Sequence, residues 1–305
     1  MGNVTAWAIQ LQGLDRRGAP DRLSRADVDL VVIDRVNTVR GSEGFPLRAV
    51  VKQVHASRGK TRARKLCIAY VNVGQAEEYR TYWGPDWRAP TAERPGSPAF
   101  VIALDPEGWA GNYPVAYWDP AWRAILEGLV DGAIDDGFDG AMFDWVLGHA
   151  DPDVAAAARE AGVDPAVEMA ALIRDLAEYA RARRPGFLVF PLNAAALLET
   201  HPDLVPVLSG VVQESVVFAG AASSTWDDPA NADEPIPASG DWSTESHVRR
   251  LSALRAKGLT ILTVDYATTA ENREAAEALA RRHGFVPFLS RTPLSRVPEE
   301  YLIAR

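Results

Sequence analysis

Eight strand-like runs, separated by helical patterns or long connections, constrain this chain more than any other feature. They are Trp7–Gln12, Val28–Asp34, Lys65–Val73, Gly140–Val146, Phe187–Leu192, Gly210–Phe218, Thr260–Asp265 and Phe285–Leu289. Several are nearly unbroken apolar stretches, the mark of strands buried on both faces of a parallel sheet. Strands that alternate with helices build α/β units, and eight of them is the number that closes a barrel. The expectation is an α/β fold, a (β/α)8 TIM barrel formed as one domain over residues 1–305. Barrels of this length run as a single unit.

The segments between the strands carry helix signals of their own. Pro46–Arg58 follows the second strand. Pro120–Asp135 starts behind Asp119, an N-cap residue with proline at the first helical position. Asp164–Arg183 repeats the Asp-Pro start with apolar residues at helical spacing, Thr244–Lys257 stops at Gly258, and Thr269–Arg282 follows the seventh strand. Two connections are too long to be plain links: Gly74–Trp118 after strand three and Ala219–Trp242 after strand six. Loops of that length in a compact domain are usually functional, and both leave the C-terminal ends of strands, where barrels build their sites. The first is crowded with Tyr79, Tyr82, Trp83, Trp87, Trp109, Tyr113, Tyr117 and Trp118; the second mixes Trp226 and Trp242 with five acidic residues.

Most strands end in a polar or ionisable residue: Asp34, Asn72 with Gln75, Asp144, Asn193, Glu214 and Asp265. In a barrel such positions converge on one pocket. A carboxylate at the end of Gly140-Ala-Met-Phe-Asp144, or within Val211-Val-Gln-Glu214, is costly unless something polar pairs with it. Paired carboxylates without a metal or nucleophile motif point to acid/base cleavage of a glycoside. Asp139, in Gly137-Phe-Asp-Gly140, reads instead as a structural turn residue.

Other chemistries lack their motifs. The five histidines show no metal-ligand spacing, Cys67 is the lone cysteine, and no nucleophile elbow, P-loop or dinucleotide fingerprint occurs. No metal or cofactor is expected. The net charge of −9 argues against a nucleic-acid partner, and no apolar run reaches the length of a membrane span. Met1–Trp7 lacks a signal-peptide pattern, so the chain is read as cytoplasmic or as a mature exported form. Oligomeric state stays open.

The segments Val31-Val-Ile-Asp34, Ala69-Tyr-Val-Asn-Val-Gly74-Gln-Ala-Glu-Glu-Tyr79-Arg, Tyr82-Trp83, Tyr117-Trp-Asp-Pro120-Ala-Trp122, Gly137-Phe-Asp-Gly-Ala-Met-Phe-Asp144, Gln213-Glu214-Ser and Val264-Asp265-Tyr266 together define a pattern. It resembles the endo-α-1,4-polygalactosaminidases and their prokaryotic relatives, glycoside hydrolase family 114. The resemblance implies a (β/α)8 fold and hydrolysis of a galactosamine-containing polysaccharide or oligosaccharide. Its catalytic carboxylates fall on Asp144, as nucleophile, and Glu214, as general acid/base. Asp34, Tyr70, Asn72, Gln75, Tyr82, Trp83, Asn193, Asp265 and Tyr266 are then expected to hold the sugar. Gln75 stands where the family often has glutamate, and Leu192-Asn193 where a Gln-Asn pair is common. The Asp-Gly-Ala-Met-Phe-Asp144 run is also similar to chitinase-type barrels, but their acid glutamate would fall on Val146. A non-catalytic carbohydrate-binding barrel and a metal-assisted hydrolase using Asp34, Asp144, Glu214 and Asp265 are the alternative readings.

Overall fold

A computed structural model describes residues 4–222 and 225–303. All eight expected strands form: β1 (Trp7–Gln10), β2 (Leu30–Ile33), β3 (Leu66–Asn72), β4 (Gly140–Asp144), β5 (Leu188–Pro191), β6 (Gly210–Glu214), β7 (Thr260–Tyr266) and β8 (Val286–Ser290). Each pairs in parallel with its neighbours in the sequence, giving a five-stranded sheet β1–β5 and a three-stranded sheet β6–β8. A parallel bridge between Leu192 and Val212 and the Asn193 amide donating to Val212 O link the two sheets.

The expected closed barrel is met as an α/β fold with a parallel sheet, but no ladder joins β8 to β1 among the described residues. The reason is local. β1 stops at Gln10, and the amides of Leu11 and Gln12 donate to Leu294 O in the segment beyond β8. The Trp7 indole spans the gap instead, donating to Val286 O at 2.9 Å.

Helices α1 (Ala19–Arg25), α2 (Leu47–Ala56), α3 (Pro120–Asp136), α4 (Pro152–Ala161), α5 (Pro165–Arg183), α6 (Ala195–Thr200), α7 (Thr244–Ala256) and α8 (Ala270–His283) fill the connections. Those expected from the sequence form within two residues of their bounds; α1, α4 and α6 are additional. The caps work as the residue types dictate. Asp119, Asp151 and Asp164 each accept amide hydrogen bonds from the first turn behind a proline, while Gly137 and Gly162 close α3 and α4 in the left-handed conformation. No helix among the described residues is long and apolar enough to cross a membrane.

Strand alternation divides the core in two. Met142, Phe190, Val212, Leu262 and Phe288 join one apolar cluster, while their chain neighbours Ala141, Phe143, Val189, Val211 and Ile261 join another, together with residues of α3 and α5. Along β4 to β8 the first set lies on the inner side of the strands and the second under the helices, while on the β1–β3 side the first cluster also takes in residues of α1 and α2.

The opposite end of β4 confirms the reading of Asp139 as structural. It accepts hydrogen bonds from His55, Arg64, Arg184 and the Cys67 amide. Burial, which would raise its carboxyl, is outweighed by the His55, Arg64 and Cys67 bonds, and the group is held down at about 2.

Candidate active site

Period-two geometry selects which strand-end residues face inward. Asp144 shares the parity of Met142, Glu214 that of Val212, Tyr266 that of Leu262, and Tyr70 that of Ile68, all members of the inner cluster. These four residues therefore meet at one mouth.

Asp144 closes β4. Its Oδ2 accepts from Tyr70 Oη at 2.7 Å and its Oδ1 from the Trp145 amide at 2.6 Å. Trp145, whose amide caps the carboxylate, adopts a left-handed φ of 59°. Two glycines make room for it. A Cβ on Gly74 would lie 2.4 Å from Trp145 O, and one on Gly148 would lie 2.5 Å from the indole ring.

Glu214 closes β6 in a matching cradle. Tyr266 Oη donates to Oε1, and Asn193 Nδ2 donates to Oε2 at 3.1 Å. Asn193 Oδ1 accepts from the Glu214 amide at 3.0 Å and from Gln213 Nε2 at 2.8 Å, so one asparagine fixes both the backbone and the side chain of Glu214. Asn193 (φ 55°) and Ser215 (φ 51°) are also left-handed. Three strained non-glycine residues thus flank the two carboxylates, the kind of concentration found at functional sites.

Electrostatics couples the pair. Burial, followed by the negative charge of Glu214, pushes the Asp144 carboxyl up to about 7 against the hydrogen bonds from Tyr70 and Trp145. Glu214 is also raised, by burial first and then by the charge of Glu107, while Tyr266 and Asn193 oppose the rise. Two nearby carboxylates of this kind titrate as a unit, keeping one proton between them into the neutral range. Such a shared proton is what a paired acid and base require.

The other expected sugar-holding residues divide. Asn72 and Gln75 lie beside the mouth, bonded to each other: the Gln75 amide donates to Asn72 Oδ1 and Asn72 Nδ2 to Gln75 Oε1. Asp34 is engaged by a bidentate ion pair from Arg80, at 2.8 and 3.0 Å, and Arg80 also holds Glu77. Asp265 has the parity of Ile261 and faces away from the inner cluster. Its Oδ1 accepts from the amides of Val217 and Phe218, shaping the connection after β6. Tyr82 packs with Trp87 and Trp122 and Trp83 with Trp87 and Tyr113 in tilted and edge contacts, Phe100 bridges Trp87 and Trp122, and only 8% of Trp83 is exposed.

Residues absent from the sequence reading also enter the mouth. Arg80 and Glu77 form a buried network with the expected Asp34, and the Glu77 charge contributes to raising Asp144. Asp105 and Glu107 reach it from the long connection after β3. A glutamate-arginine spacing of three (77 and 80) was a visible clue to the first; nothing local marks Glu107. Among the described residues no group of three or more His, Cys, Asp or Glu side chains is arranged to hold a metal ion.

Comparisons with known proteins agree with this architecture. Aspergillus fumigatus Ega3, solved in complex with galactosamine, superposes with a TM-score of 0.63 at 16% identity, covering 96% of this chain and 93% of that one. The glycoside hydrolase domain of PelA from Pseudomonas aeruginosa gives 0.65 at 21% identity over 97% and 98% of the two chains. At such identities the likeness speaks for the fold. An uncharacterized protein of Deinococcus radiodurans is 29% identical over 294 residues, 96% of this chain and 82% of that protein. Residues 2–301 match the glycoside-hydrolase family GH114 from end to end, and the chain belongs to that family.

Proposed function

We propose that this protein hydrolyses α-1,4 bonds within a galactosamine-containing polysaccharide, with Asp144 and Glu214 as the catalytic pair on a single-domain (β/α)8 barrel. The observation that carries the reading is the matched cradling of two inward carboxylates at strand ends 70 residues apart in the sequence, each gripped by a tyrosine hydroxyl. Family membership supports the reaction class, and the galactosamine bound to Ega3 supports the sugar.

In this mechanism the shared proton rests on Glu214. Its charge is then absent, which removes the second cause of the Asp144 rise, while the donors from Tyr70 and Trp145 favour the Asp144 carboxylate against burial. Asp144 attacks the anomeric carbon as the glycosidic C–O bond breaks, and Glu214 protonates the departing oxygen. Glu214, now a carboxylate, takes a proton from water, whose oxygen displaces Asp144 from the sugar. That transfer reprotonates Glu214 and the cycle closes.

Incubating the protein with galactosaminan, partly N-acetylated galactosaminan and α-galactosides, with mass detection of products, tests the reading. Shorter galactosamine oligomers are expected. Binding of these polymers with no new reducing ends, at any pH between about 5 and 8, would convert the protein into a carbohydrate-binding module.

A further inference from the structure

A cavity of about 370 Å³ lies where α1 and the segment beyond β8 meet the ends of β7 and β8, and none of the strand-end carboxylates lines it. Four arginines converge there from separate elements: Arg22 from α1, Arg273 from the start of α8, and Arg291 and Arg296 from the segment beyond β8. In a chain of net charge −9 this is a local reversal of sign. Two carboxylates line the same cavity, Glu299 paired with Arg22 and Glu300 paired with Arg273. Their side chains are 78% and 47% exposed, so water screens both pairs. Arg296 lies over the Trp226 ring, 4.4 Å from its centroid, and reaches Asp227 only at 3.9 Å. Arg291 has no carboxylate partner among the described residues; its Nη1 donates to Asn231 Oδ1 at 3.1 Å. Asn231 is fully buried, and its Nδ2 donates to the carbonyls of Thr225 and Trp226, so one side chain fixes both Arg291 and the Trp226 wall.

Two buried donors of the lining also find no acceptor in the protein. Ser290, the last residue of β8, is 2% exposed, and its hydroxyl has no partner among the described residues. The Nε of Arg22 is buried and equally unpartnered, although its Nη atoms donate to Glu299 and to Val297 O. Buried donors are nearly always satisfied, so each exception calls for a reason. Here the two belong to residues that line one cavity, beside guanidinium forks whose geometry matches an oxyanion. The lining sets four arginines against two glutamates, an excess that a dianion balances.

We propose that this cavity is a second ligand site, which binds a phosphate dianion, free or carried on a small molecule, through Arg291, Arg296 and the Ser290 hydroxyl. A single carboxylate would leave half of the excess positive charge unmatched. The volume lies in the range of small-molecule sites and leaves room for a substituent beside the phosphate group. The site shares no residue with the catalytic pair and does not depend on the glycosidase reading.

Calorimetric titration of the full chain with inorganic phosphate and with glycerol phosphate provides the test. Saturable binding at one site is expected, with sulfate competing and acetate competing far less. Tighter binding of glycerol phosphate would identify an esterified ligand, and tighter binding of inorganic phosphate a free one. Arg291→Gln and Arg296→Gln should each weaken binding by about tenfold to hundredfold, the range of one charge-assisted hydrogen bond. Arg296 is exposed, so its variant keeps the fold. Ser290→Ala should weaken binding by about tenfold at an unchanged melting temperature, because its hydroxyl has no partner in the protein to lose. Asp144→Asn should bind phosphate as the wild type does, which separates this site from the carboxylate mouth. Absence of saturable binding up to about 10 mM phosphate would overturn the assignment. So would binding that survives all three cavity variants, equal weakening by Arg48→Gln on the exposed face of α2, or acetate competing as well as sulfate.

Discussion

Two aspartates bracket strand β4, five residues apart, and live in opposite electrostatic worlds. Asp139 enters the strand among His55, Arg64 and Arg184 and is held down at about 2. Asp144 leaves it facing Glu214 and is pushed up to about 7. Both are largely removed from water, so burial alone cannot separate them. What differs is the company: cations at the entry, carboxylates at the exit. The entry end stabilises the fold by satisfying its charge, and the exit end keeps a frustrated charge, the one on which the proposed mechanism draws.

The largest effect expected from this contrast is on rate. Asp144→Asn and Glu214→Gln should each lower kcat by roughly 10⁴-fold, measured as reducing ends released from galactosaminan. Asp139→Asn should do the reverse. It removes the anion shared by Arg64, Arg184 and His55, which are themselves partly solvated, and should cost about 1–2 kcal/mol of unfolding free energy, while the folded fraction keeps its specific activity. If Asp139→Asn abolished turnover without loss of stability, the division between the two ends would fall.

The contrast also fixes signs on the pH axis. The depressed Asp139 carboxyl contributes stability that is complete above its unfolded value and lost as pH falls toward about 2. The pair at the exit behaves oppositely: its last proton leaves as pH passes about 7, so kcat should decline above that point. Tyr70→Phe removes a donor that favours the Asp144 carboxylate, as Tyr266→Phe does for Glu214. Each should move the alkaline limb to higher pH and lower kcat by about tenfold, the smallest of these effects and in line with one hydrogen bond to a charged group. A pH–rate profile unchanged in both variants would show that the tyrosines do not act on the pair.

Much of the architecture was legible because its signals are local. Apolar runs fixed the eight strands, and the Asp-Pro starts of α3 and α5 fixed their first turns. The same start at Asp151-Pro152, ending at Gly162, marks α4 equally well. Helix α6 was hidden in an alanine-rich run whose initiator, Ala194, has no capping side chain. Strand parity, readable from sequence, separates Tyr266 from Asp265 and would have assigned Asp265 to the face that anchors the Val217 and Phe218 amides. Arg80 and Glu107 are another matter. Their roles arise where the connection after β3 folds back over the strand ends, and no short-range pattern records how a 45-residue connection, residues 74–118, returns. The aromatic richness of that connection was real, but Trp83 and Trp122 are consumed in packing: Trp122 is fully buried, with its indole on Val73 O.

The most direct test of the central contrast is the unfolding free energy of Asp144→Asn relative to the wild type between pH 4 and pH 9. Because burial and the Glu214 charge raise Asp144 from its ordinary 3.8 to about 7, placing the second negative charge on the pair weakens the wild-type fold progressively over that interval. The asparagine variant should therefore gain stability over the wild type as pH rises, levelling off above about 7, while releasing no sugar. A variant that loses stability as pH rises, or that turns over at the wild-type rate, would contradict the account.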